Sequence, residues 1–462
     1  MSRGRTRGRV RIGSFVAGLV MQQIGPAVTN KLGDKFTERQ SLMEQQSETI
    51  LPDSGRTATS VAEVVSSGLC IGCGLCEAVT TGRVPMQMTE YGGLRPSSIN
   101  KFTKQEEDKI LAACPGIIAE LRPDNAPNTD LIWGSYFSMN YGWAGDAERR
   151  FASSSGGVLT ALGCHLLKTK KTNFILHVGP DPDMPMRSRW VMSRTAEEVQ
   201  RNAGSRYGPV APLAGLENAL QREERFAIIA KPCDLGAVHR LSKVDDRVDR
   251  VCVARLTLVC GGQSRLGKST ALLNEFGVLE SELTLFRYRG FGNPGRTRVE
   301  TRDGSAFETT YAEFWKEEAG WDYETRCKFC PDALGEASDI AATDVWPGAN
   351  PTKEDAGFNG VICRTQAGKD LLDGAVAGDD LVLGDPITPR QFDSFQPHQV
   401  RRKLALRARF QGLAQANMPM IETVGLRLDK LAEALDAHHR QEETSATIQR
   451  ALAGRFSEPL RS

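Results

Sequence analysis

Cys70-Ile-Gly-Cys73-Gly-Leu-Cys76 sets three thiols at two-residue gaps, and Cys114-Pro115 adds a fourth much later. Gaps of that length turn successive sulfurs into one concavity, Gly72 and Gly74 leave backbone amides free to bond sulfide, and a Cys-Pro supplies a remote ligand, so the pattern suits a 4Fe-4S cube. A structural zinc is the other use of such thiols; the third Cys and the Cys-Pro weigh against it. A second set consists of Cys233, Cys260 and the pair Cys327-Lys-Phe-Cys330-Pro-Asp332, in which two single ligands and one chelating pair could close a second cube. Of the eleven cysteines this leaves Cys164, Cys252 and Cys363, each flanked by apolar residues as a buried thiol would be.

Three other stretches carry chemistry. Phe151-Ala-Ser-Ser-Ser155-Gly156-Gly157-Val-Leu-Thr160 reads as a polar, glycine-rich turn opening a helix that runs through Leu167. Hydroxyls and bare amides there suit a phosphate or pyrophosphate, and a plain helix cap is the equal alternative. Asp234 and His239, just after Cys233, are candidate proton donors, although a solvated Asp and a helix-surface His is the favoured reading of the pair. Gly262-Gln-Ser-Arg-Leu-Gly267-Lys268-Ser269 fits the phosphate-loop pattern letter for letter. No later apolar strand ends in a convincing magnesium-binding Asp, and Cys260 has a better use, so a nucleotide-binding protein is only the runner-up.

These residues must be held by a fold of two kinds. Residues 61–130 predict a small, loop-rich unit whose cohesion comes largely from metal; a bacterial ferredoxin sets its Cys-Pro closer, so this ferredoxin-like unit carries an insertion, Tyr91-Gly-Gly-Leu-Arg-Pro96. From 131 to 425 the composition is that of a larger α/β domain, with strands expected at Phe174 to Val178, at Phe226 to Ala230 ending in Lys231-Pro-Cys233, and at Arg255 to Cys260. Polar turns at strand ends are where α/β sheets bind ligands. Residues 1–60 read as a flexible basic arm, with Arg3, Arg5, Arg7, Arg9 and Arg11 alternating with small residues; a start near Met43 is a further reading. Residues 426–462 predict one amphipathic helix from Leu428, Leu431 and Leu435, with His438-His439 at its solvated end. The fold class is therefore α+β with an α/β-like core.

Composition sets the outer limits. With 462 residues and 40% hydrophobic content the chain can bury a large core, and its net charge of +1 offers no global field for nucleic acid. Cysteine usage suits metal-bound thiolates in a reducing, cytoplasmic compartment. No apolar run has the length of a membrane span.

Taken together, the segments from Ser66 to Arg402 resemble the family formed by the beta subunits of coenzyme F-420 hydrogenases and dehydrogenases, which includes ferredoxin-dependent chlorophyllide vinyl reductases and hydroxymethyl chlorophyll reductase. The likeness rests on the ordered series of the cysteine triplet with its Cys-Pro, Ser-Ser-Ser-Gly-Gly-Val-Leu-Thr-Ala-Leu, Gly-Ser-Arg-Tyr, Lys-Pro-Cys-Asp, Cys-Gly-Gly-Gln-Ser, and Cys-Lys-Phe-Cys-Pro-Asp followed by Ala337-Ser-Asp339-Ile-Ala-Ala-Thr-Asp344. The resemblance implies an iron-sulfur flavoprotein with FAD and two 4Fe-4S clusters. It further implies that Ser154, Ser155, Gly156, Gly157 and Thr160 touch the flavin nucleotide, with Arg206, Tyr207 and Lys231 nearby. Lys231-Pro232-Cys233 stands where relatives often have Thr-Pro-Cys, Ala342-Thr343-Asp344 replaces a common Gly-Asp ending, and the long arm is unusual; none of these removes a ligand. The expected function is electron transfer between clusters and FAD, with ferredoxin or another redox subunit as donor and an organic acceptor such as a deazaflavin or a tetrapyrrole. A non-catalytic electron-transfer subunit is the alternative.

Overall fold

Strands β1 (Ser138–Ala144), β2 (Phe174–Pro180), β3 (Ser188–Ser193), β4 (Phe226–Ala230), β5 (Cys252–Leu258), β6 (Ile340–Asp344), β7 (Asn359–Cys363) and β8 (Leu381–Pro386) make the largest sheet among the described residues. Their spatial order is β8-β1-β7-β6-β5-β4-β2-β3. The computed structural model describes residues 55–122, 124–316, 322–351 and 354–460, so nearly all of the basic arm expected over 1–60 lies outside them. Residues Ser54–Ser462 form one compact unit, and a mixed α/β architecture is what they show.

The centre of the sheet is parallel: β2 pairs β4, β4 pairs β5 and β5 pairs β6 in that sense, with Leu256 in register between Ile229 and Ile340. These are the near-continuous apolar runs that burial on both faces demands, and Phe226, Ala227, Ile228, Leu256, Ile340 and Ala341 are all fully buried. Antiparallel strands flank them, β3 on β2 at one side and β7, β1 and β8 at the other. Two antiparallel steps separate β6 from β1, so β1 points the same way as the parallel centre. The C-terminal ends of β1, β2, β4, β5 and β6 therefore open on one edge of the sheet.

Helices leave that edge. α1 (Val158–Lys168) buries Val158, Ala161, Leu162 and His165 at helical spacing, and α2 (Pro232–Ser242) starts directly after β4 with proline in its first turn, where a missing N–H costs nothing. α3 (Gly267–Phe276) follows β5, and the short α4 (Thr325–Lys328) carries Cys327. The cysteine-rich segment before the sheet has helices Leu75–Val79 and Lys104–Ala113, and its strand Ile118–Glu120 pairs with Glu422–Val424 from near the C-terminus.

The C-terminal segment departs from the single helix expected. α5 (Pro397–Gln415) precedes two separate helices, α6 (Leu428–Glu433) and α7 (Ala437–Leu452). Asp436 causes the break: its carboxylate accepts from the amide of His439 at 3.0 Å as an N-cap, so Leu435 falls in the joint. His438 and His439 are exposed, at the start of α7. No helix of the described residues is long and apolar enough to cross a membrane.

Candidate functional site

Glycines let the chain turn between the first three thiols. Gly72 and Gly74 hold φ of 70° and 91°, and a Cβ on Gly72 would stand 2.6 Å from the carbonyl of Leu94, so a side chain is excluded there. Cys114 is the C-cap of helix Lys104–Ala113. The structure brings Cys70, Cys73, Cys76 and Cys114 around one cavity walled by apolar side chains, among them Val61, Val64, Leu75 and Ile110. The amide of Gly116 donates to Cys114 Sγ at 3.4 Å.

The second set forms at the sheet edge. Cys233 in the first turn of α2, Cys260 after β5, and Cys327 and Cys330 from α4 and its exit line a second cavity, together with Lys231, Arg326 and Arg402. Gln263 donates its amide to Cys327 Sγ at 3.3 Å. Ile71 lines both cavities, and its carbonyl accepts from Gln263 Nε2 at 3.0 Å. Arg326, buried, donates to the carbonyl of Pro115, next to Cys114, at 3.0 and 3.2 Å. The two cysteine sets are thus neighbours.

Burial opposes ionisation of these thiols. It pushes Cys114 and Cys327 up to about 12, and Cys73 and Cys76 rise well above the usual thiol range, with Cys114 adding like-charge repulsion after burial. Four buried sulfurs can be thiolates together only when a bound cation compensates them. Cys164, Cys252 and Cys363 are buried and belong to neither cavity.

The hydroxyl-glycine turn occupies the same edge, between helix Ala147–Ala152 and α1. Gly157 has φ of 74° and caps α1. Ser154 Oγ accepts from the amide of Ser205 at 2.5 Å, tying in the Gly204-Ser-Arg-Tyr turn, while Ser155 Oγ donates to the carbonyl of Phe358 at 2.7 Å. No protein group among the described residues accepts from the amides of Ser154, Ser155, Gly156 or Gly157, so they are available to an anion. Thr160 is half-buried in the first turn of α1.

One residue beside this turn went unread in the sequence. Arg289 is buried, donates to the carbonyl of Ser154, pairs with Asp344 at 2.9 Å, and lies over the rings of Trp346 and Tyr311 at 4.8 and 5.3 Å. Tyr207, expected near the flavin, accepts from Arg289 at 3.4 Å and packs edge-on to Trp315 at 4.7 Å. The glycine- and proline-rich run Gly290-Phe-Gly-Asn-Pro294 after Arg289 was the one available signal for a loop of consequence.

Other sequence candidates sit elsewhere. Arg206 gives its guanidinium to Ser188 Oγ and to the carbonyls of Pro185, Arg187 and Phe286, which braces those loops. Lys231 lines the second cysteine cavity, with Nζ 2.8 Å from Asp234 Oδ2. The solvated reading of Asp234 and His239 is corrected: both are buried, because α2 packs against β5 and helix Lys104–Ala113. Burial pushes Asp234 up despite Lys231, and burial holds His239 down at about 4. In the phosphate-loop look-alike, Ser269 is buried against the hydroxyl of Tyr288 at 3.1 Å, Lys268 reaches the carbonyl of Lys316, and Gly262 belongs to the cysteine cavity. Its amides are not gathered into a phosphate cradle.

Known proteins are similar to this chain in sequence. Two family models, both described as coenzyme F420 hydrogenase/dehydrogenase, beta subunit, match in succession: the one for its N-term covers residues 139–217 and the one for its C terminus covers residues 223–388. A component of the F(420)H(2) dehydrogenase of Methanosarcina mazei, named as one of its subunits, is 22% identical over 335 residues, covering 71% of this chain and 87% of that protein. The coenzyme F420-dependent sulfite reductase of Methanocaldococcus jannaschii is 23% identical over 324 residues, 67% of this chain but 46% of that longer protein. Among solved structures, a chain of the F420-reducing NiFe hydrogenase complex of Methanosarcina barkeri aligns with a TM-score of 0.45 at 18% identity, covering 60% of this chain and 95% of that one.

Proposed function

The chain belongs to the family of coenzyme F420 hydrogenase/dehydrogenase beta subunits, and on that premise we propose that it is an iron-sulfur flavoprotein oxidoreductase. It passes electrons between two 4Fe-4S clusters and FAD, to or from an organic acceptor such as a deazaflavin of the coenzyme F420 kind or a conjugated tetrapyrrole. Ferredoxin or another redox subunit is the electron donor. In this reading residues 61–130 are the ferredoxin-like unit, 131–425 the flavin-binding domain and 426–462 a helical tail. The cytoplasm is the compartment that suits eleven cysteines free of disulfides.

The observation that carries the proposal is the adjacency of two four-cysteine cavities sharing the wall residue Ile71, at the sheet edge where the hydroxyl-glycine turn also lies. When bound, the clusters supply one-electron steps and the flavin converts them to a hydride. The chain's part is to hold and space these groups. The cysteines ligate, the apolar wall of the first cavity keeps water out, and the free amides from Ser154 to Gly157 take a pyrophosphate. Arg289, held by Asp344 and two aromatic rings, fixes the turn from behind.

Anaerobic iron, sulfide and flavin analysis tests this directly. About eight irons and one FAD per chain are expected. Full iron without flavin would instead favour a cluster-only electron-transfer role within a larger complex, a reading that the name of the Methanosarcina mazei relative favours. Turnover of an organic acceptor by the isolated chain separates the two.

A further inference from the structure

The two cysteine cavities differ in charge. The second is lined by three cations, Lys231, Arg326 and Arg402, and one carboxylate, Asp332, whose oxygens are taken up by the amides of Leu334, Gly335 and Glu336. Arg326 is buried, and Arg402 donates to the carbonyl of Gly261, beside Cys260, at 2.7 Å. Lys231 Nζ is buried and forms an ion pair with Asp234 at 2.8 Å while the side chain lines the cavity. The first cavity is lined by cysteines and apolar residues, with no charged side chain among its lining. Two cations lie behind its lining: Arg95 is matched by two carboxylates, Glu324 and Glu458, both at 2.7 Å, and Arg326, which lines the second cavity, also reaches the Pro115 carbonyl beside Cys114. Asp234 lies close enough to oppose ionisation of both Cys73 and Cys233. Of the two sites only the second carries charged side chains in its lining, three cations against one carboxylate.

We propose that this asymmetry builds a potential step, in which Lys231, Arg326 and Arg402 hold the second cluster at a higher reduction potential than the first. The inference rests on the two-cluster reading above. Each electron gained adds a negative charge to a cube; buried cations stabilise that charge, and an apolar pocket without them does not. With both cubes bound, the second set of cysteines, with Lys231, Arg326 and Arg402 beside it, would hold the cube that takes up an electron more readily, and an electron given to the first by a one-electron iron-sulfur donor would pass to it with no bond or proton changing hands. Lys231, Arg326 and Arg402 are positioning residues in this scheme, acting through the field they impose.

Potentiometric titration of the anaerobic full-length protein, followed by electron paramagnetic resonance, tests the step. The second cluster's signal, identified as the one altered in Cys330→Ser, should appear first on stepwise reduction, and the first cluster's, altered in Cys73→Ser, only at lower potential. Lys231→Met and the half-exposed Arg402→Met should each lower the second midpoint and leave the first in place. Lys231→Arg, which keeps the charge, should restore it. Reduction of the first cluster before or together with the second would overturn the proposal, as would charge-removing variants that move neither midpoint. Iron and sulfide contents measured on the same samples keep the premise separate: fewer than two clusters in the wild-type protein would refute the two-cluster reading itself, whatever the order of potentials.

Discussion

Gly156 and Gly157 are neighbours in the turn, yet they should answer substitution differently. A Cβ on Gly156 would lie 2.7 Å from the carbonyl of Gly142 and 2.8 Å from the amide of Asn359, both backbone groups of the sheet. On Gly157 it would meet side chains only, Ser153 Oγ at 2.9 Å and Cβ at 3.2 Å and Ala144 Cβ at 3.4 Å, with the left-handed φ adding about 1 to 2 kcal/mol of strain. Gly157→Ala should therefore fold, with slightly lower stability and reduced FAD content by absorbance and acid extraction. Gly156→Ala should lose more in thermal midpoint than in flavin per folded molecule. Stoichiometric FAD in Gly157→Ala would make the turn a helix cap only. A second residue-scale test concerns pH. His177 is buried on β2 with Nε2 at 2.8 Å from Ser193 Oγ, and burial holds it down at about 4, against about 6.5 in the unfolded chain. The unfolded state thus takes up the proton first. The contribution is complete above about pH 6.5 and is lost as pH falls towards 4, by about 3 kcal/mol in total. Thermal midpoints measured across that window should fall less steeply in His177→Gln than in the wild-type protein; equal slopes would show that His177 is not the group.

At the scale of elements, Asp332 connects local structure to a ligand. Its two carboxylate oxygens accept from the amides of Leu334, Gly335 and Glu336 at 2.9, 2.7 and 2.8 Å, and it stands two residues after Cys330. Asp332→Asn turns an NH2 group towards one of those amides, so it should cost about 1 to 3 kcal/mol and release Cys330 from its position. Iron content should drop towards half, with the first cluster's signal retained; unchanged iron would mean that the Cys330 loop holds without its cap. That loop also shows what the sequence made legible. Two-residue gaps picked out the triplet and the Cys327–Cys330 pair, each of which shares a cavity with more distant cysteines, and apolar runs located β4 as observed and β2 to within two residues, because such gaps and strand periods are properties of neighbours in the chain. Arg289 and Arg326 escaped notice because their roles depend on partners far along the chain, Asp344 and Pro115. The burial of Asp234 escaped for a related reason: an Asp near a Lys reads as solvated until α2 is seen packed against β5 and helix Lys104–Ala113. The antiparallel flanks were equally hidden, since nothing in β7 or β8 names the strand it will pair with.

For the whole molecule, the question is what binds the cysteine-rich segment to the sheet domain. Part of the answer is a buried ionic cluster drawing on four distant stretches: Arg95 from the first cysteine segment, Arg265 after the second Cys-Gly-Gly, Glu324 before α4, and Glu458 near the C-terminus. Glu458 accepts from Arg95 Nε and Nη2 at 2.8 and 2.7 Å and from Arg265 Nη2 at 2.9 Å, while Glu324 takes Arg95 Nη2 at 2.7 Å. Each side chain in the cluster is largely buried. Removing one carboxylate leaves two guanidinium groups sharing the other, in a setting where an uncompensated charge is costly. Burial alone would make such a cluster a doubtful source of stability, and its better-supported role is to set the register in which the segments meet. The two roles separate experimentally in Glu458→Gln, which keeps the shape and part of the hydrogen bonding. Thermal stability should fall by about 1 to 3 kcal/mol. If the cluster also sets the register of the two cavities, the distance-dependent spin coupling between the reduced clusters should broaden or change in this variant, although neither ligand set has been touched. A loss of stability with an unchanged coupling spectrum would show that packing around Ile71 alone fixes the two sites, and that the ionic cluster only fastens the C-terminus over them.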